Sequence, residues 1–296
     1  MTTEDRYLFD LRGYLVVRHA LTRGEVRRLN AAIDALPEAL RGGDHTHVHR
    51  GLTRTEENGD ASIRASMFDW GAPFRELVGH PSLNGYLVDL LGEGFRLDHQ
   101  YAVFQRAGGA AGPANPLHNG GTPYNPTCAY VVRDGRIHNN LLVVSIALTD
   151  VEARAGGFCC IPGSHKSEFP LPPRLRGMVV ATAIVEQPVL AAGDALIFTE
   201  ALTHGALPWT AAHERRAVLL KYSAAHVQWH PDPVPIDHDW TPAQLRILRP
   251  PYVRGRGPSG GDRGSLVRHR ARHFAVTLRD TARRRLLGSR YIDSGE

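Results

Sequence analysis

The sequence predicts a mostly β fold, a sandwich or jelly roll flanked by helices. From about Phe95 onward, short β-rich runs alternate with Gly, Pro and Asn turns at a spacing that suits an all-β architecture better than β-α-β units. Ahead of them lie two segments with helical periodicity. The 296 residues are 42% hydrophobic and 22% charged, an ordinary globular balance with enough apolar chain to bury a core.

Taken in order, residues 7–18 (YLFDLRGYLVVR) mix aromatic and β-branched side chains, and GYLVV reads as a short strand. Thr22 with Glu25 three residues later forms a capping-box pattern that opens a helix. Val26, Leu29, Ala32, Ile33 and Leu36 follow on one helical face. Residues 41–66 are polar and rich in Gly and His and read as a long lid-like loop. Within it His45, His47 and His49 alternate; as a strand they would share one face, where they could bind metal or meet an anionic substrate group. The polar loop is the plainer reading. Pro81–Leu91 reads as a second helix. Strands are expected over 96–106, 126–133, 140–149, 157–161, 178–190, 195–199 and 214–223. GGAAGP (108–113) lacks the Lys-Ser/Thr of a phosphate-binding loop and reads as a flexible loop leading to His118. Residues 255–265 read as a connector and 266–286 as a helix. One domain is thus expected over 1–250, with its core at 95–230, followed by a basic segment over 251–296.

Composition excludes several classes. No run of 18 apolar residues is present, so no membrane-spanning helix is expected. The first residues, MTTEDRYLFD, show no secretory pattern. Cys128, Cys159 and Cys160 are too few for a disulfide framework, so packing in a reducing cytoplasm is the default expectation. The net charge of +5 is concentrated at the end of the chain: Pro251–Glu296 carries 11 Arg against 4 acidic residues. A solvated tail is the plainer reading, and neither a nucleic-acid polymer nor a membrane is an expected partner.

The chemistry-bearing residues lie on the β framework. His118 follows the 96–106 strand in PLHNGG. His204 follows ALIF in LTHGALPW, and Arg215 and Arg216 open the next strand. Sixteen His make any one of them weak evidence. Two His followed at short distance by an Arg is the order of a non-haem iron site on a jelly roll.

The chain resembles the phytanoyl-CoA dioxygenase-like branch of the Fe(II)/2-oxoglutarate enzymes. GYLVVRHAL (13–21), PLHNGG (116–121), SIALTDV (145–151), GGFCCIPGSHK (156–166), LAAGDALIF (190–198), LTHGALPW (202–209) and RRAVLLKYS (215–223) carry the resemblance. It implies a double-stranded β-helix, a jelly roll of the cupin kind, with N-terminal and flanking helices. It implies His118 and His204 as iron ligands, with O2 as a further co-substrate. Arg215 would grip the distal carboxylate of 2-oxoglutarate, as suits a planar, permanently charged guanidinium. Arg216 would point the other way along the strand. Ser145 matches a position facing the co-substrate. His165 of PGSH would be structural or near the substrate.

The chain departs from the family motif H-x-D, reading His118-Asn119-Gly120, so the carboxylate ligand is missing. Replacement of that Asp by Gly resembles the halogenases of this enzyme class, in which chloride occupies the vacated position beside Asn119 and Gly120. Three readings follow. The first, and the expected one, is C–H chlorination. The second is hydroxylation, with water or another carboxylate (Asp134, Asp150, Asp194 or Glu200) completing the site. The third is binding of a small molecule without catalysis. The resemblance extends to enzymes acting on a 2′-deoxynucleoside monophosphate such as deoxyadenosine monophosphate. Arg41, His45, His47, His49, Arg50 and Arg54 could meet its phosphate. A free small molecule is the expected substrate, and the oligomeric state is left open.

Overall fold

The structure, a computed structural model, describes residues 1–37, 45–49, 60–64, 66–107, 115–176, 183–231, 233–236 and 238–253. The chain divides after Pro251. The expected connector at 255–265, the helix at 266–286 and the 108–113 loop lie outside the described residues.

In chain order the elements are α1 (Thr3–Arg12), β1 (Tyr14–Val17), α2 (Arg23–Asp34), β2 (His45–His49), β3 (Asp60–Arg64), α3 (Ala72–Arg75) and α4 (Pro81–Leu91). Then come β4 (Arg96–Gln105), β5 (Asn115–His118), β6 (Tyr130–Arg133), β7 (Arg136–Asn139), β8 (Leu141–Ala147) and β9 (Gly157–Cys160). The series closes with α5 (Pro173–Arg176), β10 (Ala195–Thr199), β11 (His204–Leu207), β12 (Arg215–Ser223) and α6 (Pro242–Ile247). Seven strands form one sheet in the order β1-β10-β8-β12-β4-β2-β3; a smaller sheet runs β5-β11-β9, and β6-β7 is a hairpin. This is the mostly β jelly-roll architecture expected from the sequence. Among the described residues no helix is long and apolar enough to cross a membrane.

Alternation along the central strands builds two cores. Leu142, Val144 and Ile146 of β8, with Val218 and Leu220 of β12, join Val26, Leu29 and Ile33 of α2 and Leu83, Leu87 and Leu90 of α4 in one cluster. The intervening residues Val143 and Ala147, with Ala217 and Leu219, join Tyr14, Leu196, Phe198 and Cys160 in the other. A strand buried on both faces favours apolar residues on both, which explains the LLVVSIA run of β8, interrupted only by Ser145. α2 carries the expected Thr22–Glu25 capping box.

Several expectations need correction. Residues 41–66 are not one loop: His45–His49 pairs antiparallel with β4, and Asp60–Arg64 pairs parallel with His45–His49. The edge of β4 supplies backbone partners that outweigh the polar composition. No strand spans 183–190; Glu186 and Leu190 make only single bridges, to Cys160 and Val151. Pro188 between them has no N–H to continue a ladder. Residues 126–133 begin as a short 3-10 turn, with the strand starting at Tyr130. Helix α1, unpredicted, is opened by a Thr2–Asp5 capping box.

The GSH turn has a structural role. Gly163 N–H donates to the Arg12 carbonyl at 3.0 Å, and His165 Nε2 donates to the Asp10 carbonyl at 3.0 Å. Gly13 ends α1 with φ of 82°, and a Cβ there would lie 2.6 Å from His165 Nδ1. Only glycine combines that backbone with that approach. Burial, followed by the Lys166 charge, lowers the His165 pKa to about 4. A folded-state pKa below the unfolded one means that protonation favours unfolding. Stability is therefore full above about pH 6.5 and falls toward pH 4, with His165 contributing about 2 kcal/mol. Thermal melts across that window should show the decline, and His165→Leu should make it shallower by removing the share of this imidazole.

Candidate active site

The site forms where the two sheets face each other. In the small sheet, β5 and β11 pair with His204 directly opposite His118. Side chains opposite one another across antiparallel strands share a face, and the two imidazole centroids are 4.4 Å apart. His118 Nδ1 donates to the Pro116 carbonyl at 2.8 Å, and His204 Nδ1 donates to the Leu202 carbonyl at 2.7 Å. A carbonyl only accepts, so both rings carry a proton on Nδ1 and turn Nε2 away from that contact. Burial, followed by His118, depresses the His204 pKa to about 3 and keeps that ring neutral. Two imidazoles oriented through Nδ1 are suited to hold a divalent cation through Nε2.

The large sheet supplies the opposite wall. Arg215, Leu219 and Lys221 of β12, Tyr101 and Val103 of β4, Ser145 of β8 and Phe198 beside them line a cavity of about 70 Å³ together with His118 and His204. Arg215 is buried, and its Nη1 donates to Gln105 Oε1 at 2.7 Å. Its Nε is buried without a hydrogen-bond partner, and among the described residues no carboxylate pairs with it. Burial lowers its pKa to about 10, so it stays charged. A buried guanidinium with an idle donor fits a dianionic ligand that enters the cavity. Gly157 makes room for it: a Cβ there would lie 2.7 Å from Arg215 Nε. Arg216 points to the other face and pairs with Glu214 and Asp34.

The departure from the motif sits at the edge of this site. Gly120 N–H donates to the Glu200 carbonyl at 2.9 Å. A Cβ on Gly120 would lie 2.6 Å from Cys128 Sγ and 3.3 Å from Glu200 Cγ. The neighbouring Asn119 Nδ2 donates to Thr203 Oγ1 at 3.2 Å. Glu200 Oε1 accepts from Lys221 Nζ at 3.0 Å, and both side chains are under 10% exposed. Burial alone would raise the Glu200 pKa, but the charge of Lys221 and its hydrogen bond hold it well below the ordinary value. Gly120→Ala is expected to cost about 1–3 kcal/mol by overpacking. Urea unfolding should show this cost, and Cys128→Ala should return part of it.

Of the other candidate carboxylates, Asp194 caps a turn by accepting from His19 and Ala191 N–H groups and pairing with Arg18. Asp150 accepts from Ala192 N–H, and Asp134 sits in the β6-β7 turn with φ of 53°. His165 lies against Tyr130, away from the cavity lining. His45, His47 and His49 pair in register with Gln105, Val103 and Tyr101; the surroundings of their side chains lie outside the described residues. Among the described residues no three His, Cys, Asp or Glu side chains are gathered around one metal position.

Sequence reasoning missed Lys221 and its aromatic neighbours. Lys221 Nζ lies 5.2 Å from the Trp229 ring centroid and 5.8 Å from that of Tyr101. His99 stacks on both rings, and its Nδ1 donates to Asp98 at 2.8 Å. The signal was the period of two from Arg215 through Ala217 and Leu219 to Lys221, which puts them on one face.

Solved structures share the fold. HygX from Streptomyces hygroscopicus, with nickel and 2-oxoglutarate bound, superposes with a TM-score of 0.62 at 20% identity, over 78% of this chain and 90% of HygX. The epimerase SnoN, in complex with Fe3+, α-ketoglutarate and nogalamycin RO, gives 0.55 at 20% identity, over 88% and 96%. The carbocyclase SnoK from nogalamycin biosynthesis gives 0.53 at 18% identity, over 78% and 87%. No curated protein sequence matches the chain. The family described as Phytanoyl-CoA dioxygenase (PhyH) matches residues 9–217. Because that match covers well over half of its length, the chain belongs to the phytanoyl-CoA dioxygenase family of Fe(II)/2-oxoglutarate-dependent oxygenases.

Proposed function

We propose that the chain oxidises an unactivated C–H bond of a free small molecule with 2-oxoglutarate and O2 as co-substrates, and that hydroxylation is the outcome. The space beside Gly120 carries this reading: Cys128 and Glu200 stand where a side chain at 120 would begin, and Glu200 already brings negative charge there. His118 and His204 would hold iron through Nε2, Arg215 would grip the distal carboxylate of 2-oxoglutarate, and Ser145 would face it from β8. Iron, when bound, would supply the oxidising chemistry, with 2-oxoglutarate and O2 as the co-substrates consumed. The protein's own residues orient and shield: backbone carbonyls fix both imidazoles, while Phe158, Phe198 and Leu219 exclude water from the cavity.

Halogenation is the second reading. It rests on Gly120 having no side chain and on the Lys221 ammonium in the cavity wall, with chloride held beside Asn119 and Gly120. A small-molecule substrate is supported by HygX and SnoN, solved with hygromycin B and nogalamycin RO respectively. A nucleoside monophosphate is the narrower proposal from the sequence. Among the described cavity residues Arg215 and Lys221 are the cations, and Lys221 is already paired. The phosphate would therefore need cations from outside the described residues.

Anaerobic loading with Fe(II) and 2-oxoglutarate, followed by chloride titration, separates the readings. A charge-transfer band indifferent to chloride, with substrate oxidation that needs no chloride, is the expected result. A saturable chloride-dependent shift and a chlorinated product would establish halogenation. Absence of the band would leave small-molecule binding without catalysis.

A further inference from the structure

We infer that Glu200 is the third protein ligand at the metal position, supplying from the end of β10 the carboxylate that residue 120 lacks. The inference rests on the reading of His118 and His204 as the metal-holding pair.

The first support is position. The Glu200 carbonyl accepts from Gly120 N–H at 2.9 Å, and its Cγ lies 3.3 Å from the point where a Gly120 Cβ would stand. The Glu200 side chain therefore passes the spot from which a side chain at residue 120 would grow. Glycine at 120 is then a steric requirement of Glu200 and Cys128 rather than a simple loss.

The second support is the idle oxygen. Lys221 satisfies Oε1, while Oε2 is buried with no hydrogen-bond partner. An ionised carboxylate offers about four acceptor sites, and buried polar atoms rarely stay unpartnered. A cation held by the two imidazoles would complete that oxygen. Asp134, Asp150 and Asp194, the other carboxylates available by sequence, are held elsewhere.

The third support is charge. Arg215 and Lys221 put two positive groups in the cavity wall. A divalent cation there needs a negative donor, and the Glu200 carboxylate, 3.0 Å from Lys221 Nζ, is the one beside Gly120. The described side chains are not gathered around a metal position, so Glu200 must rotate to reach it. Lys221, on its flexible stem, can follow Oε1 as a positioning residue.

Titration of the full chain with Co(II), read by calorimetry and visible absorption, tests the assignment. Glu200→Gln is expected to weaken Co(II) affinity by more than about 100-fold, beyond the loss typical of a residue that only orients a ligand, and to change the visible spectrum. Lys221→Met removes the ion pair but keeps the carboxylate, and is expected to weaken affinity by about tenfold, below the loss of a ligand, and to leave the visible spectrum unchanged. A purely structural ion pair would move both variants alike and leave the spectrum unchanged, which would overturn the inference. Circular dichroism checks folding. Should Glu200→Gln not fold, a crystal structure of the Zn(II)-loaded wild type decides, with a Glu200 oxygen expected at about 2.0–2.2 Å from the metal. Glu200 left on Lys221 alone in that structure would overturn the assignment while leaving the oxygenase reading intact. Failure of the wild type to bind Co(II) would overturn both.

Discussion

Arg215→Met should weaken 2-oxoglutarate binding by about 100-fold or more. Two charge-assisted hydrogen bonds to a buried carboxylate contribute about 1.5–3 kcal/mol each, and the substitution removes both. In the ligand-free protein the same change removes a buried guanidinium whose Nε has no partner. The apo form should therefore melt at the same temperature as the wild type or slightly higher. 2-Oxoglutarate should raise the melting temperature of the wild type and not that of the variant. Calorimetric titration gives the affinity, and an unchanged dissociation constant would place the distal carboxylate elsewhere. Gly157→Ala should give a milder version of the loss, because a methyl group there displaces Arg215 Nε.

His118→Ala and His204→Ala should each lower divalent-metal affinity by more than about 100-fold, beyond the loss typical of residues that only orient a ligand. Their effects on the metal-free protein should differ. His204 is buried against Phe158 and Phe198, with ring centroids 5.9 and 4.8 Å away, whereas His118 is exposed. Truncation of His204 should cost about 1–3 kcal/mol through the cavity it leaves, and truncation of His118 should cost close to nothing. Metal titration with parallel denaturant melts reads both effects. Equal destabilisation by the two variants would contradict the burial difference.

The parts legible in the sequence were those with long local patterns. The 96–106, 140–149 and 214–223 runs are strands because nine or so β-prone residues leave little choice of element. α2 announced itself through Thr22 and Glu25. The four-residue strands β5 and β11 were not legible. NPLH and HGAL contain a proline and a glycine, and form strands only because each finds a partner distant in the chain. The same limit applied to the site. His118, His204 and Arg215 were marked by their motifs, and the structure brings them into one cavity. Glu200 stood among four carboxylates, favoured with Asp194 by nearness to His204. Its contact with Gly120 depends on a loop returning from β5, and no spacing rule encodes that return. Lys221 was within a quoted motif, but its pairing with Glu200 is a tertiary event.

The small sheet is built from three four-residue strands, and His118 and His204 meet across two of them although 86 residues separate them in the chain. A cation shared by those imidazoles would act as a reversible cross-link closing a long loop. At a free metal concentration 100 times the dissociation constant, such a link contributes about 2.7 kcal/mol to folding. The region most dependent on it is also the one with the least sheet to hold it. Metal scarcity would then register as proteolytic nicking of this sheet and a shorter protein lifetime, in addition to the loss of turnover in metal-free molecules.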